Sequence, residues 1–292
     1  MSNATTSDRV NECAAGLLAS GSLEMSPDRH RDAEAIAELL PSATRVYVNH
    51  LPRHGLQKSL EALVALRRSG LEPVPHIAAR RVSSRAEVVD FLDQAVERAQ
   101  VSKVLVIGGD DPRPLGCYAD AAALLRDGVL AEHGVREVSL PGYPEGHPRI
   151  ASAALEAALT EKLALAATQG LATTLVTQFS FAPARVVAFC ADLARARPEL
   201  PVYVGIAGPC TAATLLRFAQ RCGVSASLRA MGAQGMDAVR LFMHTDPADQ
   251  ISAVAQHCLA HPGSNVVGAH LFSFGAAAAT AEWMHRRITG AR

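Results

Sequence analysis

Aromatic residues make up only 4% of this chain, while hydrophobic residues make up 49%. A core of that composition must be built from Ala, Val and Leu, which suits helices packed closely on a parallel sheet. Charge of either sign is not in excess, with 28 basic and 28 acidic residues. Without a basic field to hold a phosphate backbone, nucleic acid is not an expected partner. No run of about 18 apolar residues occurs, so no membrane-spanning helix is expected. The opening residues MSNATTSDRVNECAAG lack the basic start and apolar stretch of a signal peptide, and the expected location is the cytoplasm. The six cysteines, Cys13, Cys117, Cys190, Cys210, Cys222 and Cys258, never fall in C-x-x-C spacing. They are expected to be reduced small hydrophobes rather than a zinc or disulfide framework. The G-x-G-x-x-G and G-x-x-x-x-G-K-[ST] phosphate loops are also missing, which argues against an open dinucleotide-binding sheet.

What the chain does have is alternation. Short β-branched runs at Ser20–Met25, Arg45–Asn49, Pro73–Ile77, Lys103–Ile107, Glu137–Leu140, Thr174–Gln178, Val202–Ile206 and Asn265–Leu271 read as strands. Between them lie amphipathic stretches of helical period such as Leu56–Arg68 and Ser83–Ala99. Pro183 and Pro209 stand where helices would begin. Eight strand–helix units in 292 residues predict an α/β fold, a closed (β/α)8 barrel. It is expected as one domain over residues 1–292, with an extra N-terminal helix and an extra helix near residues 207–264.

In such a barrel, chemistry collects at the carboxyl ends of the strands. Those ends carry Glu24, Asn49 and His50, His76, Gly109-Asp110-Asp111, then Tyr143, Glu145 and His147, then Gln178, and His270 in the last strand. Turn and cap chemistry explains some of them: Glu24 before Ser26-Pro27 can cap a helix, and Gly-Asp-Pro is a turn composition. His50 and His54 have metal-ligand spacing if helical, but Pro52 and Gly55 argue against a helix there, and no metal is expected. The segment Gly142-Tyr143-Pro144-Glu145-Gly146-His147-Pro148 is a rigid rim loop presenting three polar side chains.

At these residues the chain resembles the methylenetetrahydrofolate reductase family. Tyr143-Pro144-Glu145-Gly146-His147-Pro148 matches its Y-P-E-x-H-P loop, and Val176-Thr177-Gln178-Phe179-Ser180-Phe181 its I-T-Q-F-F-F segment. Ile107-Gly108-Gly109-Asp110-Asp111-Pro112 matches L-R-G-D-x-P, and Ser22-Leu23-Glu24-Met25-Ser26-Pro27 is a weakened S-F-E-F-F-P. The four stand in the family's order, and the similarity spans about Ser20 to Met284.

The resemblance implies a non-covalent FAD, reduced by NAD(P)H and reoxidised by 5,10-methylenetetrahydrofolate in a ping-pong reaction. Glu24 would be the general acid that opens the folate's five-membered ring, kept protonated by burial. Asp110 would remain ionised and stabilise the cation that forms. Gln178 would bind the pterin, and Phe218 would stack on nicotinamide or the folate tail. The FAD contacts carried over are Asn49, His76, Gly109, Asp110, Tyr118, Ala119, Tyr143, His147, Glu156 and Lys162. The small-molecule substrates would be the only partners needed, and a homo-oligomer is left open. The chain departs from the family at Asn49 (threonine there), Gly108 (arginine), Leu163 (a basic residue) and Ala276 (arginine). These losses leave two other readings open: a flavin-independent NAD(P)H–folate reductase on the same fold, and a non-catalytic folate- or flavin-binding barrel.

Overall fold

The computed structural model describes residues 5–52, 54–180, 182–211, 213–214, 217–218 and 247–290. Eight strands close into a barrel in the order β1 to β8. They are β1 Ser22–Met25, β2 Arg45–Val48, β3 Glu72–Ala78, β4 Lys103–Ile107, β5 Glu137–Gly142, β6 Ala172–Thr177, β7 Val202–Ala207 and β8 Val266–Phe272. The described helices are α1 Thr6–Ala19, α2 Ala33–Leu39, α3 Leu60–Arg68, α4 Arg85–Ala99, α5 Ala121–Asp127, α6 Val129–Glu132, α7 Ser152–Thr168, α8 Pro183–Ala196, α9 Pro247–Ala260 and α10 Ala277–Thr289. The expected barrel is therefore observed, with the extra N-terminal helix as α1. Of the residues 207–264, where an extra helix is expected, 219–246 lie outside the described residues.

Among described residues the chain forms two compact units. One comprises Leu23–Pro141 and Ser152–Leu175; the other comprises Met1–Ser22, Gly142–Ala151 and Val176–Arg292.

In the first unit, β2 to β5 pair in parallel. β3 carries Pro73 and Pro75, which lack the N–H a sheet ladder needs. The Glu72 N–H is donated to the Thr44 carbonyl at 3.0 Å, so residues 72 and 74 turn their N–H groups to β2. Both prolines then face β4, because alternate residues of a strand bond to opposite neighbours. The pairing agrees: β2 is matched to Glu72–Pro75, whereas the match to β4 runs from His76 to Ala78.

Helix α4 shows how local sequence sets an element. Ser84 caps it by accepting the Glu87 N–H at 3.2 Å, which satisfies one of the first-turn donors. Val88, Phe91, Leu92, Ala95 and Ala99 then repeat at helical spacing on its buried face. Burying Phe91 alone is worth roughly 2–3 kcal/mol. Gln100 ends the helix in the left-handed region at φ 50°. Glu87 also accepts the Leu56 N–H at 3.2 Å, fixing the approach to α3.

The amino ends of β2 to β5 carry Arg45, Glu72, Lys103 and Glu137, alternating in sign. Arg45 donates twice to Glu137, at 2.6 and 3.1 Å, and Lys103 lies 3.6 Å from Glu72. Above them a hydroxyl chain runs from Tyr47 to Ser139 (2.9 Å) and on to Thr174 (2.9 Å). Burial pushes the Tyr47 phenol up to about 12, so it stays neutral and structural.

In the second unit, α1 packs on α9 and α10, with β7 and β8 paired in parallel. Pro183 opens α8 as expected. Gly205 on β7 leaves no room for a side chain: a Cβ there would stand 2.1 Å from the Thr177 carbonyl oxygen.

Candidate functional site

In the first unit, β1 ends with Glu24 half-buried, its side chain 15% exposed. The Asn49 backbone N–H is donated to the Met25 carbonyl at 3.1 Å, which ties the end of β2 to β1. From that anchor the Asn49 amide nitrogen donates to Glu24 Oε2 at 3.2 Å. On β3, buried His76 places Nε2 4.0 Å from Glu24 Oε1, and its ring stands edge-on to Tyr47 at 5.9 Å between centroids. Three of the residues singled out in the sequence, Glu24 on β1, Asn49 just after β2 and His76 on β3, are thus brought together.

His50 is absorbed by the backbone. Its Nδ1 accepts the Ala78 N–H at 3.2 Å and its Nε2 donates to the His54 carbonyl at 3.0 Å. Burial pushes its pKa below the ordinary histidine value. No group of three or more metal-ligating side chains occurs among the described residues.

After β4 the chain turns through Gly108 and Gly109, the latter at φ 92°, where glycine is favoured. Space beside Gly108 is open, and Asp110 is exposed. Two arginines that the motif reading passed over hold this loop. The Arg80 guanidinium donates to the carbonyls of Asp111 (2.7 Å), Pro112 (2.8 Å) and Ala119 (3.0 Å). Arg81 donates to Asp111 Oδ2 at 2.6 Å and to the His50 carbonyl at 2.8 Å. Two guanidinium groups from just after β3 therefore stand beside the loop. An Arg-Arg pair directly after a strand end was the available signal.

The remaining first-unit residues differ in setting. Tyr118 is buried and donates its hydroxyl to Asp127 at 3.1 Å; burial and that carboxylate push the phenol up. Ala119 and Glu156 are exposed. Lys162, on α7, is only 8% exposed. It makes no hydrogen bond or ion pair among the described residues, and burial pushes its pKa down, against the opposing pull of Asp120 and Glu161.

In the second unit, Gly146 adopts φ 76° and donates its N–H to the Tyr143 carbonyl at 3.0 Å, which closes the rim loop. Tyr143 and His147 meet edge to face, 5.5 Å apart, and His147 Nδ1 accepts the Arg149 N–H at 3.2 Å. Buried Ser180 donates to Glu145 Oε1 at 2.5 Å and accepts the Ala182 N–H at 3.0 Å. The Gln178 backbone N–H is donated to the Gly142 carbonyl at 2.8 Å. Its side-chain oxygen accepts the neighbouring Phe179 N–H at 3.1 Å, so the amide expected to serve a pterin with both ends here spends its acceptor on its own backbone.

Scarce aromatics are concentrated beside Gln178. Phe179 meets Phe272 at 5.1 Å and Phe274 at 5.3 Å, and Phe218 meets Phe274 at 4.8 Å. These are four of the chain's eight phenylalanines, and Phe274 holds a left-handed φ of 51°, a costly conformation for a bulky residue. Nearby, His270 shares a 2.8 Å hydrogen bond with Ser22, both fully buried.

No protein-family model matches the chain. Among solved structures it is similar to an uncharacterized protein from Clostridium thermocellum that binds two copies of 5-methyl-5,6,7,8-tetrahydrofolic acid. The TM-score is 0.61 at 11% identity, over 91% of this chain and 95% of that one. It is also similar to dihydropteroate synthase from Thermus thermophilus, with TM-score 0.51 and 14% identity over 92% and 91% of the two chains. At such identities the likeness is one of fold, and the class it defines is the (β/α)8 barrel. No described helix is long and apolar enough to cross a membrane.

Proposed function

We propose that this chain reduces 5,10-methylenetetrahydrofolate to 5-methyltetrahydrofolate with electrons from NAD(P)H, using bound FAD. The observation that carries the reading is the half-buried Glu24 carboxyl, held by Asn49 and faced by His76 at the end of β1. Reduction requires a proton on the ring nitrogen that departs when the folate's five-membered ring opens, and a fixed, water-poor carboxyl suits that task. In the proposed reaction Glu24 gives up its proton as the carbon–nitrogen bond breaks, leaving a 5-iminium cation that accepts hydride. Asp110 balances that cation's charge. Gln178 contributes its amide nitrogen to pterin binding, its oxygen being held by the Phe179 N–H. The Clostridium protein's ligand is the product of this reaction, which adds support.

Two features of the first unit support the FAD part of this reading. Lys162 is a buried ammonium that makes no hydrogen bond or ion pair among the described residues, with Asp120 and Glu161 acting on it only through the longer-range field, and a phosphate oxygen would supply a direct partner. The open Gly108-Gly109 turn lets a flat ring approach the backbone. When bound, FAD would supply a two-electron carrier between nicotinamide and folate.

The test is Glu24→Gln followed in separated half-reactions by stopped flow. Flavin reduction by NAD(P)H should stay within about 3-fold of wild type, while the folate half-reaction falls by about 10²-fold or more. Equal losses in both halves would remove Glu24 from the acid role.

One set of contacts favours a second reading, direct hydride transfer without flavin. Asn49 gives its amide to Glu24, Tyr118 its hydroxyl to Asp127, and Glu156 is exposed, so three positions carried over for FAD are engaged elsewhere or face solvent. Reductase activity in a protein whose visible spectrum lacks flavin bands would select it.

A further inference from the structure

We infer that Arg217 is a specificity-determining residue that holds a carboxylate of the folate's glutamate tail. The assignment rests on the folate reading above, in which Arg217 has no role. The resembled family has arginine at position 276, where this chain has Ala276, so a tail carboxylate needs its cation from another segment.

Groups of the second unit succeed one another in the order of the parts of a folate. At one end is Gln178, whose oxygen accepts the Phe179 N–H at 3.1 Å and whose amide nitrogen makes no hydrogen bond among the described residues. The rings come next. Phe179 meets Phe274 at 5.3 Å, and Phe274 meets Phe218 at 4.8 Å with the planes tilted by 41°. At the far end the Arg217 guanidinium carbon lies 5.5 Å from the centre of the Phe218 ring. A folate joins a pterin, an aminobenzoyl ring and a glutamate in the same sequence. An amide donor suits the first, ring faces the second and a guanidinium the third.

Exposure and backbone shape agree with a ligand face. Phe179 is buried, whereas Phe218, Phe272 and Phe274 are half-buried. The turn after β8 runs through Phe274 at φ 51° and Gly275 at φ 91°, and it presents the Phe274 ring from a left-handed backbone. Strain of that kind collects at ligand-binding positions. Arg217 is exposed and forms no ion pair or hydrogen bond among the described residues. Resting on the Phe218 face restricts the guanidinium before any ligand arrives. Its planar fork then offers a carboxylate two parallel N–H donors, which a lysine in its place would not.

The experiment compares the Kd of the full-length protein for 5-methyltetrahydrofolate and for its tail diamide, in which both glutamate carboxylates are neutral carboxamides. Wild type should bind the diacid about tenfold more tightly, and added salt should shrink that preference. Arg217→Gln should bring the ratio to within about twofold of one by weakening the diacid alone, with Arg217→Lys in between. Phe274→Ala should weaken both ligands together and leave the ratio as it is. A wild-type ratio of one, a ratio unchanged in Arg217→Gln, or a loss confined to NAD(P)H overturns the inference. The readout needs no turnover. A protein that prefers the diacid through Arg217 but never reduces folate would sink the reductase reading alone. One that reduces both methylene forms equally well would sink the role of Arg217 alone, and one that binds neither ligand would sink both.

Discussion

Lys162 offers a test in which stability and ligand binding should move in opposite directions. Its ammonium is 8% exposed and lacks a hydrogen bond or ion pair among the described residues. Removing a charge from water without pairing it is costly. Lys162→Met keeps the side-chain length and removes the charge. In the ligand-free protein it should gain about 1–2 kcal/mol, by analogy with apolar replacements of buried charges. For a chain of this size that is roughly 2–8 °C in Tm.

The pH dependence has a definite sign. The lysine's pKa is lowered in the folded protein from 10.5, so the unfolded chain binds the proton more tightly. Wild type therefore gains stability as pH rises toward 10.5, and the advantage of the methionine variant shrinks on the alkaline side. FAD affinity should fall, because a charge-assisted hydrogen bond of about 1.5–3 kcal/mol is lost, equivalent to roughly 10–100-fold in Kd. Thermal melts of the flavin-free protein from about pH 7 to 10, with a fluorescence titration of FAD, check both arms. A variant that melts lower than wild type would show that the ammonium has a stabilising partner. One that binds FAD as tightly as wild type would end its assignment to phosphate.

Two further outcomes are expected. Arg45→Met should cost about 2–3 kcal/mol by chemical denaturation, because Glu137 would keep a half-buried carboxylate without its bidentate partner; adding Glu137→Gln should recover part of that loss, and strictly additive effects would mean the pair is not coupled. The His50 pKa is lowered by burial from 6.5, so this neutral imidazole contributes stability that is lost as pH falls below about 6.5; His50→Asn should flatten the acid side of the stability profile, and an unchanged profile would refute the assignment.

Much of the scaffold was legible because each strand is a β-branched run between helical periods. All eight expected strands are observed with ends within about two residues, the usual precision of such boundaries. β1 starts at Ser22 rather than Ser20 because α1 continues to Ala19 and Ser20 closes it. β3 extends to Ala78 despite its prolines, since both face the same neighbour. The strand-end rule also found Glu24, Asn49 and His76, which the structure joins. Other features depend on contacts between residues far apart in the chain. Nothing local to Arg80 shows that its partners lie 31 to 39 positions onward. Neither does Tyr118 announce Asp127, nor Ser180 its bond to Glu145. The phenylalanine cluster likewise gathers residues from three segments that share no motif.

The grip of Arg80 on the carbonyls of Asp111, Pro112 and Ala119 means that the path of the chain just after Asp110 is held by a side chain written outside that motif. The loop could drift in sequence at Pro112 or Ala119, whose side chains the guanidinium does not touch, while its path stayed the same. Conversely, replacing Arg80, just past the third strand, would release those carbonyls without changing any residue of the motif itself. Variation among descendants of this barrel should accordingly be freer within the glycine-aspartate turn's downstream flank than at that distant arginine.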